Sequence, residues 1–157
     1  MIIEIDGAHS GIKFSACHFI HGHAKCSVLH GHTYVLRARL EGEIGESGMV
    51  MDFTDIKSAL KKAANEMDHK ALLPRSTGTL KIKESENEVE VMTYGKRYVF
   101  PKEDVLLLDI DVTTAEEISR MLAKKLLSEV NFPKNVKVLW VGIDEERGQT
   151  AWYSEKL

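Results

Sequence analysis

Apolar and polar side chains alternate from residue 34 to residue 41, a pattern typical of a β-strand with one buried face. The apolar face of this strand consists of Tyr34, Leu36, Ala38 and Leu40. The same period, continued towards the amino terminus, places His30 and His32 on one face, about 6–7 Å apart along the backbone. Two imidazoles at this spacing could bind a single metal ion.

The other patterns along the chain predict two amphipathic helices and further strands. In chain order, the predicted elements are an extended segment over 2–17 broken near Gly7 and Gly11, a loop over 19–29, a strand over about 31–42, a short extended run over 49–53, a helix over about 54–68, a helix from Thr114 to about residue 130, and a C-terminal hairpin of 136–143 and 150–153.

Residues 78–101 alternate in three short runs separated by turns, which predicts a small β-rich insertion between the two helices. Its many acidic and basic side chains are typical of a solvated face, so we expect the insertion at the periphery. The sequence therefore predicts one domain over 1–157 with a β-rich insertion at about 78–101.

Outside the insertion, the predicted elements form an α+β layer, in which a four-stranded antiparallel sheet carries two helices on one face. Such a sheet leaves two edge strands with unpaired backbone groups. Because joining edges between subunits would satisfy these groups, we expect a homo-oligomer.

Composition excludes several classes of protein. The 157 residues carry a formal net charge of −3 and no basic block, so nucleic acid is not an expected partner. Residues 1–6 lack the pattern of a signal peptide, and no apolar run reaches the roughly 20 residues that span a bilayer. We therefore expect a cytoplasmic protein without membrane segments, in which Cys17 and Cys26 are free thiols.

Histidine clustering is the strongest chemical signal, because five of the seven histidines lie within residues 18–32. His30 and His32 precede a regular strand, and His18 ends another extended segment. A set of three histidines leaves a coordination position open, as catalytic zinc requires. A competing pair, His21 and His23, lies in the predicted loop, and a histidine cluster that binds no metal is the alternative.

Two further features permit two interpretations each. Cys26 could be a fourth ligand that closes a structural zinc site, or a catalytic thiol near the metal. Asp68 and His69 could simply end the first helix, since a cationic histidine suits its dipole there. Alternatively, they could form a pair that activates Cys26.

Seven elements of the sequence closely resemble the 6-pyruvoyltetrahydropterin synthase / 6-carboxytetrahydropterin synthase family, and they run in order over almost the whole chain. The matching elements are Phe14–His18, Lys25–His32, Gly48–Phe53, Met67–His69, Thr113–Glu116, Glu145 and Tyr153. The Cys-x-x-x-His-Gly-His element is the most specific of them.

The resemblance implies the tunnelling fold, in which subunits join into a β-barrel and active sites lie at subunit interfaces, as a tetramer or hexamer. It implies zinc on the three histidines that spacing also favours, namely His18, His30 and His32. It implies that Cys26 is catalytic and that Asp68 and His69 support it.

Substrate contacts are also implied by the resemblance. The acid that anchors the pterin falls on Glu145, which is also expected among the catalytic residues, with Asp144 and Glu146 as immediate neighbours. Thr113 and Thr114 match positions that line the pterin pocket. Thr114 could equally be a helix N-cap in a capping box with Glu117.

The short interval between His18 and His30 resembles the microbial 6-carboxy branch, which feeds 7-deazaguanine (queuosine or archaeosine) synthesis. We therefore expect conversion of 7,8-dihydroneopterin triphosphate to 6-carboxy-5,6,7,8-tetrahydropterin, acetaldehyde and triphosphate. The alternatives are 6-pyruvoyltetrahydropterin synthase activity and a non-enzymatic zinc-binding module. Relatives with aldolase activity carry an acid at the position of Cys26, which disfavours that activity.

Overall fold

The computed structural model describes residues 1–23, 25–75, 78 and 80–157, so position 24 of the predicted loop and position 79 of the predicted insertion lie outside the described residues. The fold is α+β. Its strands and helices are β1 Ile2–Ile5, α1 Gly7–Ser10, β2 Lys13–His18, β3 His30–Gly42, α2 Phe53–Met67, β4 Lys70–Pro74, β5 Lys81–Glu84, β6 Glu88–Thr93, β7 Lys96–Pro101, β8 Val105–Leu108, α3 Ala115–Glu129, β9 Val136–Glu146 and β10 Gln149–Lys156.

The main sheet is built around β3, which pairs with β9 on one side and with β1 and β2 on the other. Its antiparallel part, β10-β9-β3 and the broken strand β1/β2, is the predicted four-stranded sheet. The break is the short helix α1, which begins at Gly7. Any side chain at Gly7 would collide with the Leu36 carbonyl oxygen, because a Cβ atom would lie 1.9 Å from it.

Two strands of the main sheet were not predicted. β4 pairs in parallel with β2, and β8 pairs in parallel with β4, which makes the sheet seven-stranded and mixed. Pro74 is the last residue of β4, a position where its missing N–H is tolerated. Both strands are short apolar runs without alternation, and such runs cannot be assigned from periodicity alone.

The two long helices cover the apolar face of the sheet, as predicted. α2 is N-capped by Asp52, whose carboxylate accepts the Thr54 N–H at 2.7 Å. The buried stripes of α2 and α3 join the strand residues in one core. Full burial of each large apolar side chain contributes about 1.5–3 kcal/mol, so this face holds the domain together. The shared stripe residues include Ile56, Leu60 and Met67 in α2 and Ile118, Leu122 and Leu126 in α3.

Residues 81–101 form a second, three-stranded antiparallel sheet, β5-β6-β7. We expected this region at the periphery with a charged, solvated surface. One of its faces instead carries Val89 and Val91, which are buried in a small core with Phe19 and Leu73. The second sheet is therefore packed against the loop that follows β2.

No helix in the described part of the chain is both long enough and apolar enough to span a membrane.

Candidate metal centre and active site

The pairing of β2 with β3 brings three histidines together. His18 lies opposite His30 in the register, and Ala16 lies opposite His32. The ring centroids are 4.7 Å apart for His18 and His30, 5.3 Å for His18 and His32, and 5.1 Å for His30 and His32. One nitrogen of each ring lies within 4.8 Å of the others. A shift of under about 1 Å in each ring would therefore bring all three nitrogens to zinc-bonding distance of one common point.

Backbone carbonyls orient two of these rings. His18 Nδ1 donates to the Thr113 oxygen at 2.8 Å, and His30 Nδ1 donates to the Val28 oxygen at 2.7 Å. A donated Nδ1–H leaves Nε2 with its lone pair, which is the tautomer that a metal-binding histidine requires. The fold has therefore prepared two of the three ligands before any ion binds.

The electrostatic environment of His18 also favours metal binding. His18 is fully buried, and burial is the main reason that its pKa falls to about 4. The Thr113 carbonyl opposes this shift, while His30 and His32 add to it. His18 is therefore neutral at pH 7, and a neutral imidazole is the form that binds a cation. Among the residues the structure describes, these three histidines form the group suited to hold a metal, and His21 and His23 are not part of it.

Glu145 on β9 lies beside this cluster. Its Oε1 is 3.9 Å from His18 Nε2, and its side chain is 25% exposed. Oε1 is buried and has no hydrogen-bond partner among the described residues. Burial, as the largest cause, raises the pKa of this carboxyl. A buried acceptor without a hydrogen bond lowers the stability of the fold, so Oε1 is a candidate to accept a hydrogen bond from a ligand.

The two neighbouring acids face elsewhere, because side chains alternate along β9. The Asp144 carboxylate accepts from Arg37 Nε at 3.0 Å and from Thr150 Oγ1 at 2.6 Å. Glu146 is exposed. Of the three adjacent acids, Glu145 is the one on the side of the histidine cluster.

Thr113 and Thr114 lie at the start of α3. Thr113 is fully buried, its carbonyl orients His18, and its hydroxyl donates to the Phe19 oxygen at 3.4 Å. Thr114 is the N-cap of α3 and accepts the Glu117 N–H at 3.4 Å. The predicted return bond from Glu117 is replaced, because the Glu117 carboxylate is paired with Arg120. Only half of the capping box is therefore formed.

Asp68 and His69 follow α2 directly. Asp68 Oδ1 accepts the Ser15 N–H at 2.8 Å, and Oδ2 lies 2.8 Å from His69 Nδ1. His69 has a positive φ of 58°, and its side chain is 83% exposed. Both imidazoles, His69 and His32, line a cavity of about 660 Å³ that also contains Cys17. Asp68 is thus held by β2, and His69 beside it lines an open cavity near the metal centre.

Cys26 is half-buried in the loop between β2 and β3. Its N–H donates to His23 Nδ1 at 3.3 Å, and its carbonyl accepts the Ile20 N–H at 2.7 Å. Cys26 does not belong to the three-histidine group, which is the arrangement of an open site. The bond from Cys26 to His23 and the role of the Thr113 carbonyl were not predicted, since loop contacts leave no periodic signal in a sequence.

A family model described as 6-pyruvoyl tetrahydropterin synthase matches residues 9–156. The chain belongs to this family. Its relatives include a Methanocaldococcus jannaschii protein, provisionally named a 6-carboxy-5,6,7,8-tetrahydropterin synthase, at 35% identity over 100% of this chain and 98% of the relative. A Haemophilus influenzae 6-carboxy-5,6,7,8-tetrahydropterin synthase is 31% identical over 82% of this chain and 86% of the relative.

Solved structures of the family share the fold. The Plasmodium vivax 6-pyruvoyltetrahydropterin synthase superposes with a TM-score of 0.90 at 28% identity, covering 100% of this chain and 99% of that chain. A variant of the same enzyme with a substituted catalytic residue superposes with a TM-score of 0.92 at 26% identity, covering 100% and 98%. The tunnelling fold expected from the sequence resemblance is therefore confirmed.

Proposed function

We propose that the chain is a zinc-dependent 6-carboxytetrahydropterin synthase. It would convert 7,8-dihydroneopterin triphosphate and water to 6-carboxy-5,6,7,8-tetrahydropterin, acetaldehyde and triphosphate. The observation that carries the proposal is the adjacency of a three-histidine cluster and the buried Glu145 Oε1 atom, which has no hydrogen-bond partner among the described residues, in a chain of this family. A lyase of this kind would need both a metal site and an acid that binds the pterin.

Glu145 is the proposed pterin anchor. The pterin edge presents parallel N–H donors, and a carboxylate can accept two of them in a charge-assisted pair. Its buried Oε1 has no partner among the described residues, so binding would satisfy an acceptor that is otherwise costly. Glu145 Oε1 lies 3.9 Å from His18 Nε2, so a pterin held by Glu145 would lie beside the histidine cluster.

His18, His30 and His32 are the proposed zinc ligands. Zinc held there would supply Lewis-acid chemistry, lowering the pKa of a hydroxyl on the substrate side chain. The donor set fits this ion, since three imidazoles are typical of catalytic zinc and two of these rings, His18 and His30, already have Nδ1 bonded to a backbone carbonyl.

Cys26, as a thiolate, is the proposed base that removes a proton from the carbon next to the pterin ring. His69, oriented by Asp68, is the proposed relay for that proton. His69 is largely exposed in the single chain, which suits an active site completed by a second copy of the protein. We therefore propose a homo-oligomer, a tetramer or hexamer joined through sheet edges, with Thr113 and Thr114 beside the pterin.

The carboxy product is favoured over the pyruvoyl product. The curated relatives that match over most of the chain carry the 6-carboxy name, including the one at 35% identity. The structural neighbours named 6-pyruvoyltetrahydropterin synthase are 26–28% identical, and they make pyruvoyl synthesis the second candidate. A cytoplasmic role in 7-deazaguanine (queuosine or archaeosine) synthesis follows from the first assignment.

Incubation of the zinc-loaded protein with 7,8-dihydroneopterin triphosphate, followed by mass spectrometry of the pterin, tests the reaction. A 6-carboxy product supports the proposal, and a 6-pyruvoyl product supports the second candidate. A non-enzymatic zinc module would leave the substrate unchanged. Cobalt substitution adds an independent reading, because a cobalt–thiolate absorption band arises only if Cys26 is a ligand that closes the site.

A further inference from the structure

The second sheet contacts the segment that carries Cys26, which we define as the Cys26 loop, residues 19–23 and 25–29. The contact is made at the tip of the β6–β7 hairpin. Tyr94 at this tip accepts the Gly22 N–H on its hydroxyl oxygen at 2.6 Å. The Tyr94 ring is stacked on the His21 ring, with centroids 5.1 Å apart and an interplanar angle of 16°. One side chain of the second sheet thus holds two successive residues of the Cys26 loop.

A second contact fixes the start of the same loop. The Phe19 ring is stacked on the Tyr98 ring of β7, with centroids 5.5 Å apart and an interplanar angle of 25°. Phe19 is only 2% exposed and is buried with Val89 and Val91 of β6. The apolar face of the second sheet therefore anchors the loop at residue 19, while Tyr94 holds it at residues 21 and 22.

Hydrogen bonds within the loop carry this restraint to Cys26. Ile20 N–H donates to the Cys26 carbonyl at 2.7 Å, and Cys26 N–H donates to His23 Nδ1 at 3.3 Å. His23 also accepts the Ser27 N–H on its carbonyl at 2.9 Å. The residues that hold the Cys26 peptide, Ile20 and His23, flank the two residues that Tyr94 holds.

The hairpin itself would favour a different residue at this tip. Tyr94 has a φ of 48° and Gly95 a φ of 72°, so both central residues of the two-residue turn are in the left-handed region. Asn-Gly is the preferred pair for such a turn, and a bulky residue with positive φ is strained. The hairpin therefore accepts backbone strain at the residue whose side chain reaches the Cys26 loop.

We propose that Tyr94 is a positioning residue for Cys26, acting through His21, Gly22 and His23, and that the second sheet is thereby part of the catalytic unit. The proposal rests on the proposed function, in which Cys26 is the catalytic base. It also assigns a role to the second sheet and to the His21/His23 pair, neither of which belongs to the metal centre.

Tyr94→Asn tests this role, because an Asn-Gly turn preserves the hairpin while the contact with the Cys26 loop is lost. We expect an unchanged or higher melting temperature, unchanged zinc content, a fall in kcat of about tenfold and a KM within about twofold of the wild type. Backbone amides of residues 20–23 and 25–27 should exchange with deuterium about tenfold faster in this variant. Tyr94→Phe keeps the stacked ring, so we expect an intermediate loss of about threefold to fivefold.

Val99→Ala is the matched control, since Val99 lies on the same sheet and is 39% exposed. The proposal is overturned if Tyr94→Asn retains wild-type kcat, whatever its exchange rates. It is also overturned if the variant loses zinc or melts well below Val99→Ala, because Tyr94 would then be merely structural. If the wild type fails to convert the substrate, the proposed function fails. The exchange of residues 20–23 and 25–27, together with the iodoacetamide alkylation rate of Cys26, then decides alone whether Tyr94 positions that thiol.

Discussion

Replacing Glu145 by glutamine should separate substrate binding from folding. The substitution keeps the shape of the side chain but removes its negative charge and one acceptor. In the proposed complex, Glu145 accepts two N–H groups of the pterin, and hydrogen bonds to a charged group contribute about 1.5–3 kcal/mol each. Loss of one bond and of the charge should cost about 2–3 kcal/mol, which is a fall of roughly 30-fold to 150-fold in kcat/KM.

The Glu145→Gln variant should lose activity without any fall in its free energy of unfolding. Glu145 Oε1 is buried without a partner among the described residues, and burial raises the pKa of the carboxyl. A neutral amide pays less desolvation than a carboxylate, so the free energy of unfolding should stay constant or rise by up to about 1 kcal/mol. If Glu145 costs stability because it is kept for substrate binding, its replacement should lower activity while it leaves the free energy of unfolding unchanged or raises it.

The assay pairs steady-state kinetics with thermal unfolding and zinc analysis of the same preparations. Glu146→Gln is the matched control, because Glu146 is the exposed neighbour and should behave as the wild type. The reasoning would be refuted if Glu145→Gln kept kcat/KM within about threefold of the wild type, since one charge-assisted bond is worth more. A larger loss in Glu146→Gln would show that the anchor was assigned to the wrong acid.

The remaining predictions concern the proton-transfer residues and the metal-free protein. Cys26→Ala should keep its zinc, by atomic absorption, but lose turnover by at least about 100-fold, as expected for removal of a general base; near-normal turnover would exclude that role. Asp68→Asn should free the His69 ring and lower kcat by about tenfold or more with little change in KM, whereas an equal effect on KM would indicate substrate binding instead. In the metal-free protein, His18 has a folded pKa of about 4, below its ordinary value of 6.5, so the unfolded chain binds the proton first. Stability should therefore be complete above pH 6.5 and decline towards pH 4, by on the order of 3 kcal/mol in urea titrations; the same decline in His18→Gln would refute the assignment.

The antiparallel part of the fold could be predicted from the sequence because its strands have one buried face. β3 alternates between buried and less buried residues along 34–41, and the stripe of α2 repeats every three or four residues. β4 could not be predicted in this way, because Ala71, Leu72 and Leu73 are all buried and leave no period. A strand covered on both faces has the same pattern as a short core helix.

The metal centre could be predicted for the same reason, since alternation along β3 and the end of β2 determine where His18, His30 and His32 lie. The surroundings of Cys26 could not. Its N–H is held by His23, and Tyr94 contacts the same loop at Gly22, which lies 72 positions earlier in the chain. Contacts of this kind depend on tertiary packing between segments that share no local pattern.

The most direct test of the account is the stoichiometry of a single reaction. Zinc-loaded protein is incubated with 7,8-dihydroneopterin triphosphate, and the pterin, acetaldehyde and triphosphate are quantified together by mass spectrometry and enzymatic assay. The account predicts 6-carboxy-5,6,7,8-tetrahydropterin, acetaldehyde and triphosphate in equal amounts. Triphosphate released without acetaldehyde, or a substrate left unchanged by the zinc-loaded protein, would contradict it.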